Sequence, residues 1–176
     1  MFVVVTGGSG SGKSAYAEGR VVNFQNKERT YIATMFPFDA ESHKRIARHR
    51  EMRKDKGFET VECYTNLKDV RVPDGGTVLL ECMSNLTANE MFQDQGAKEN
   101  TVEEIMKGIL SLRQQCEHLI VVTNEIFSDA FSYEKETKTY LKYLGEINAK
   151  ISEMADEVVE VVYGIPVYHK KYLEKI

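Results

Sequence analysis

At 176 residues the chain has the length of one ordinary domain, and its balance of 42% hydrophobic and 28% charged residues is that of a soluble globular fold. A net charge of -4 excludes a global electrostatic footprint for nucleic acid, so any anion-binding surface must be local. Cys63, Cys82 and Cys116 are widely spaced and lie in or beside apolar stretches, so they read as reduced thiols rather than a disulfide framework or a zinc site.

The chain enters a β-branched run at Phe2–Thr6 with no basic segment or long apolar stretch ahead of it, so no signal peptide is expected. No apolar run is long enough for a membrane span, and a cytoplasmic protein is expected. A glycine-rich turn follows, then an amphipathic helix over Lys13–Asn26. Next come a strand over Thr30–Thr34, a helix over Ala40–Lys56 capped by Asp39, and a strand over Glu59–Tyr64. Pro73-Asp74-Gly75-Gly76 is turn chemistry ahead of a strand over Thr77–Cys82. A helix over Asn85–Gln93 leads into a polar stretch from Gln93 to Asn100, expected to be a mobile loop. Thr101 and Glu104 have the spacing of a capping box for a helix over Val102–Glu117. The remaining elements are a strand over His118–Thr123, an active-site type loop over 126–134, a helix over Lys135–Ala155 and a strand over Glu157–Tyr163. Alternating short apolar runs and longer amphipathic stretches predict one α/β domain over 1–176, a three-layer sandwich around a mostly parallel sheet, with strands buried on both faces.

Gly7-Gly8-Ser9-Gly10-Ser11-Gly12-Lys13-Ser14 matches G-x-x-x-x-G-K-[ST] between a strand and a helix, the signature of a P-loop NTPase-like fold. Glycines let successive backbone amides turn inward around phosphate oxygens, and the helix start adds the positive end of its dipole. Lys13 is placed to reach the β- and γ-phosphates of a nucleoside triphosphate, and the Ser14 hydroxyl to ligate Mg²⁺. The competing dinucleotide fingerprint, Gly10-Ser11-Gly12-Lys13-Ser14-Ala15, wants an acid at the end of the second strand, where the chain has Ile32-Ala33-Thr34-Met35.

Arg45, His49 and Arg53 fall at i, i+4 and i+8 of a basic helix and share one face. An imidazole between guanidiniums suits attack on phosphorus, while a solvated basic face explains the same residues without chemistry. His43, His118 and His169 have no comparable partners. Val78-Leu79-Leu80-Glu81 ends an apolar strand in an acid, and Ile120-Val121-Val122-Thr123-Asn124-Glu125 does so again. Either acid suits a metal shell or a proton acceptor at the crevice, or a plain helix cap. No N-K-x-D follows a late strand, so the pattern does not choose between ATP and GTP.

Several segments taken in order resemble one family, the bifunctional adenosylcobinamide kinase and adenosylcobinamide-phosphate guanylyltransferase of cobalamin assembly. They are Val5-Thr6-Gly7-Gly8 with the P-loop, Tyr31-Ile32-Ala33-Thr34, Arg45-Ile46-Ala47-Arg48-His49-Arg50, Thr60-Val61-Glu62-Cys63, Leu79-Leu80-Glu81-Cys82, Val122-Thr123-Asn124-Glu125 and Val162-Tyr163-Gly164-Ile165-Pro166. The resemblance implies transfer of the γ-phosphate of ATP or GTP to the aminopropanol hydroxyl of adenosylcobinamide. It then implies attack of His49 on the α-phosphate of GTP and passage of GMP from the imidazole to the corrinoid phosphate. It further implies nucleotide contacts at Ala33, Thr34, Met35, Arg50, Glu51, Met52, Arg53, Glu62 and Glu81, and a homotrimer with sites between subunits. The chain departs from the family pattern at Ile126-Phe127-Ser128-Asp129-Ala130-Phe131-Ser132, where two glycines are replaced, and at Tyr140-Leu141-Lys142. A small-molecule kinase without guanylyl transfer and a regulatory GTP-binding protein are the alternative functions.

Overall fold

The computed structural model describes residues 1–25, 28–126 and 135–171. A seven-stranded sheet in the order β3-β2-β4-β5-β1-β6-β7 forms the middle layer. Its strands are β1 (Phe2–Thr6), β2 (Arg29–Ala33), β3 (Phe58–Glu62), β4 (Thr77–Glu81), β5 (His118–Val122), β6 (Glu157–Val162) and β7 (Ile165–Lys170). All neighbours run parallel except β6 and β7, which form an antiparallel hairpin at one edge. The register sets Ala33 beside Glu81 and Glu81 beside Val122, so the carboxyl ends of β2, β4 and β5 lie level along one rim.

The helices are α1 (Lys13–Asn23), α2 (Ala40–Arg53), α3 (Met83–Phe92), α4 (Thr101–Gln115) and α5 (Lys135–Met154). One face of the sheet, through Phe2, Val4, Ile32, Leu80 and Val121, packs on Leu86 of α3, Ile109 of α4 and Ile147 of α5. The other face, through Val3, Val5, Leu79 and Ile120, packs on Ala17 and Val21 of α1. The strands β1, β4 and β5 therefore need apolar residues on both faces, which explains their near-continuous hydrophobic runs. Helix α2 buries only Ser42 and Arg53. Its charged composition leaves it outside the main core, over the rim.

Several expectations need correction. The edge strand β3 is largely exposed rather than buried on both faces. An additional strand, β7, follows the turn at Tyr163 and Gly164, and all six of its residues are exposed. The box expected at Thr101 and Glu104 is absent: the Thr101 hydroxyl donates to the Lys98 carbonyl at 2.6 Å, and Glu104 pairs with Lys68 and Lys107. The polar stretch after α3 is pinned rather than loose. The buried Glu90 carboxylate accepts from the Ala97 amide at 2.9 Å and the Asn66 amide at 2.6 Å, tying two loops together. The departing residues 127–132 lie outside the described residues.

Candidate nucleotide site

The glycine-rich turn leaves β1 and lies against the β6–β7 hairpin. Gly7 has φ +150°, and a Cβ there would sit 2.6 Å from the Val161 carbonyl and 2.7 Å from Ser11 Oγ. Gly12, at φ +93°, forms the left-handed entry to α1 and faces Gly164 Cα, 3.4 Å from where its own Cβ would stand. Two backbone bonds hold the loop from outside. The Gly164 amide donates to the Ser11 carbonyl at 2.8 Å, and the Glu125 amide donates to the Gly7 carbonyl at 3.1 Å. The N-cap residue Gly12 offers α1 no side-chain cap, so the first-turn amides remain for an anion. The Lys13 ammonium folds back onto the Gly8 carbonyl at 2.9 Å. Burial pushes it below the usual lysine value, while Cys82 and Glu81 act in the opposite direction.

The end of β4 supplies a carboxylate with several neighbours. Glu81 Oε1 accepts a short hydrogen bond from the Ser14 hydroxyl, and Oε2 accepts from the Tyr31 hydroxyl at 3.0 Å. His49 Nδ1 stands 3.6 Å from Oε1, inside ion-pair range and just outside hydrogen-bond range. That nitrogen is buried and has no hydrogen-bond partner among the described residues. The Glu81–Cys82 peptide is cis, and the Cys82 amide and carbonyl both engage the Thr34 hydroxyl, at 2.7 and 2.9 Å.

Helix α2 closes the site from above. Asp39 accepts from the Ser42 amide at 2.6 Å and the Ser42 hydroxyl accepts from the Asp39 amide at 3.0 Å, a reciprocal cap that fixes where the helix begins. From that start, Arg45, Ile46, Arg48, His49, Met52 and Arg53 face a cavity of about 520 Å³. The opposite wall carries residues 9–15 of the loop with Ala33, Met35 and Glu81. The three-residue row of Arg45, His49 and Arg53 is thus brought against the phosphate cradle. Arg45 pairs with Glu41, and the Arg53 guanidinium lies 3.8 Å over the Tyr31 ring.

Other candidates fall elsewhere. Arg50 turns outward to Glu62 at 2.8 Å, and Glu51 is exposed near Lys54. Glu62 lines a second cavity, of about 700 Å³, with Phe36, Tyr64 and Phe92. Thr34 is fully buried behind the rim, and Gly7 and Gly8 form the spine of the loop. Glu125 contributes its backbone amide to that spine, while its neighbour Asn124 lines the main cavity. Tyr31 and Asn85 also line the cavity and were not legible as site residues. Tyr31 sits inside an apolar strand and reads there as core. His43 is exposed, His118 stacks on Phe24 at 3.9 Å, and His169 meets Glu160 at 2.8 Å, so none of the three belongs to the site.

The donor set fits a small divalent cation held mainly by phosphate. Ser14 Oγ and the Glu81 carboxylate are adjacent hard oxygens, and no group of three or more His, Cys, Asp or Glu able to hold a metal exists among the described residues. A cation here would take most of its shell from triphosphate oxygens and water, as Mg²⁺ does. No helix among the described residues is long and apolar enough to cross a membrane.

A parallel sheet with a glycine-rich phosphate loop, a buried loop lysine and an acid at the end of β4 defines a P-loop nucleotide-binding protein of the phosphotransfer class. Solved structures of that fold match it over most of its length. Flagellar accessory protein FlaH from Methanocaldococcus jannaschii is 11% identical with a TM-score of 0.51, covering 97% of this chain and 78% of that one. An ATPase domain of known structure is 8% identical with a TM-score of 0.50, covering 90% of this chain and 68% of that one. Within the class, the chain belongs to the cobinamide kinase / cobinamide phosphate guanyltransferase family, whose sequence model matches residues 3–168. It is 29% identical to the bifunctional adenosylcobalamin biosynthesis protein CobU of Salmonella typhimurium, over 95% of this chain and 98% of that protein. The CobU of Escherichia coli K12 gives the same figures, and CobP of Pseudomonas aeruginosa is 26% identical over 93% and 94%.

Proposed function

We propose that the chain phosphorylates adenosylcobinamide and then converts the product to adenosylcobinamide-GDP, using one phosphate cradle for both reactions. The carrying observation is that His49 faces the cavity lined by Lys13 and Ser14, with Glu81 between them. In the first reaction the amides of residues 7–14 and the Lys13 ammonium grip the β- and γ-phosphates of ATP or GTP, with Lys13 leaving the Gly8 carbonyl to do so. The corrinoid hydroxyl attacks the γ-phosphorus in line. A Mg²⁺ ion held at Ser14 would neutralise charge on the phosphate oxygens.

In the second reaction the same grip on the β- and γ-phosphates of GTP leaves the α-phosphorus toward α2. His49 is the nucleophile there, and Arg45 and Arg48 on the same wall supply positive charge to the oxygens around phosphorus. Pyrophosphate leaves into the loop. The corrinoid phosphate then takes GMP from the imidazole. Ala33, Met35, Met52 and Arg53 line the same cavity and are the proposed nucleoside contacts. Thr34, Arg50, Glu51 and Glu62 are proposed contacts that lie outside the lining of that cavity; Arg50 and Glu62, already paired to each other, would have to turn to reach a bound base.

The chain is further proposed to act as a cytoplasmic homotrimer. The edge strand β7 exposes Ile165, Val167 and Tyr168, the kind of surface that a second copy covers. Incubation with adenosylcobinamide, GTP and Mg²⁺, read by product mass, tests the function: adenosylcobinamide phosphate followed by adenosylcobinamide-GDP is expected. Accumulation of the phosphate alone would reduce the chain to a kinase.

A further inference from the structure

Glu81 has two carboxylate oxygens, and they face different partners. Oε2 belongs to Tyr31, whose hydroxyl donates at 3.0 Å. Oε1 belongs to Ser14, with His49 Nδ1 waiting 3.6 Å away. Tyr31 is an unusually well-fixed donor. Its ring is 3% exposed, with the Arg53 guanidinium 3.8 Å from its centroid and the Phe58 ring edge-on at 6.0 Å. Burial, reinforced by the Glu81 charge, pushes its phenol far above the ordinary range, so it remains a protonated donor wherever the enzyme works. The imidazole, by contrast, has a buried Nδ1 with no hydrogen-bond partner among the described residues.

We infer that Tyr31 is a positioning residue for the proposed guanylylation: it anchors Glu81 through Oε2 so that Oε1 can receive the Nδ1–H of His49, making Nε2 the nitrogen that attacks. This rests on the function proposed above. A neutral imidazole carries one N–H, and an ionised carboxylate only accepts. A carboxylate aimed at Nδ1 therefore selects the tautomer with its lone pair on Nε2, and the ring plane with it. A carboxylate oxygen accepts more than one hydrogen bond, so Oε1 keeps the Ser14 hydroxyl and takes the Nδ1–H as well once the ring moves in from 3.6 Å. Ser14 would ligate a cation through a lone pair of the same hydroxyl without giving up that donation. In the step itself the Nε2 lone pair forms the P–N bond and the bond from phosphorus to the bridging oxygen breaks. That electron pair leaves with pyrophosphate. The Nδ1 proton stays in the hydrogen bond to Oε1, where the carboxylate balances the imidazolium. When the corrinoid phosphate attacks, the P–N pair returns to Nε2.

Tyr31→Phe is the clean test, since it keeps the ring that Arg53 and Phe58 pack against and removes only the hydroxyl. The variant and the parent are mixed with GTP labelled at the α-phosphate. Nucleotide affinity, the first-order rate of label transfer and the ring nitrogen carrying GMP are measured, with thermal unfolding as a control. The expected result is affinity within about twofold and a rate lower by on the order of 10- to 100-fold, the scale of a misplaced reacting group. The parent adduct is expected on Nε2 alone. Glu81→Gln, which cannot balance the imidazolium, should lose at least as much rate and serves if Tyr31→Phe unfolds. An unchanged rate in Tyr31→Phe, or a parent adduct on Nδ1, overturns the inference while leaving the function intact. A parent enzyme that takes up no label overturns both.

Discussion

The Lys13 ammonium lies 2.9 Å from the carbonyl of Gly8, so the lysine of the phosphate loop closes on its own backbone. It occupies that place as a buried cation, pushed below the ordinary lysine value by desolvation. Below its folded pKa the charged lysine costs folding stability. That cost fades as pH rises from the folded value toward 10.5, because there the unfolded chain holds more protons than the folded one. Lys13→Ala should therefore unfold at the same temperature as the parent or higher at neutral pH, and the difference should shrink in alkali. Nucleotide affinity by calorimetry should fall by on the order of 100-fold, the value of a buried charge-assisted contact. Retained affinity would remove the cradle from the account.

Two glycines close together in sequence should respond in opposite ways to alanine. Gly7 has φ +150° and would drive a Cβ to 2.6 Å from the Val161 carbonyl, so Gly7→Ala should destabilise by about 1–3 kcal/mol. Gly19 sits inside α1 with nothing within 4 Å of its would-be Cβ. Gly19→Ala should stabilise by about 0.5–1 kcal/mol through the backbone entropy that glycine loses in a helix. Denaturant midpoints of both variants check the pair.

Acid sensitivity should trace in part to α4. Lys107 and Lys68 hold the Glu104 carboxyl down at about 2 from its ordinary 4.5. A depressed carboxylate adds stability that is complete above 4.5 and is lost as pH falls toward 2. Glu104→Gln should flatten the stability profile in that window. Raising the salt should shrink the parent's contribution, since these side chains are at the surface. An acid limb identical in the two proteins would contradict the assignment.

Asp39 should matter to the site although it lies outside it. Its reciprocal bonds with Ser42 set the first turn of the helix that carries His49. Asp39→Ala should speed amide hydrogen exchange in the first turn of α2 by on the order of fivefold, the effect of a lost cap. The rate of GMP transfer to the enzyme should drop several-fold, with the thermal midpoint of the remaining fold little changed.

The parts legible in the sequence are those whose chemistry is local. The loop from Gly7 to Ser14 declares itself because phosphate binding demands glycine and lysine at fixed spacing, and Asp39 because a cap acts within one turn. The central strands are equally plain, since two-sided burial forces continuous apolar runs. Strand β7 was hidden: Pro166, His169 and Lys170 break the apolar pattern, and an edge strand exposed on both sides needs none. Thr101 and Glu104 have the spacing of a box, but tertiary partners outcompete it, Lys98 taking the hydroxyl and Lys68 and Lys107 the carboxylate. Tyr31 is the most instructive omission. Its role depends on Glu81, 50 positions away in the chain, and only the β2–β4 register brings the two together.

His49 is proposed to carry GMP, and intact mass with peptide mapping after exposure to GTP and Mg²⁺ decides the matter. A single GMP per chain is expected, labile in acid and stable in base, located on His49 and absent from His49→Ala. Equal labelling of parent and His49→Ala, or an adduct mapped to another residue, would contradict it.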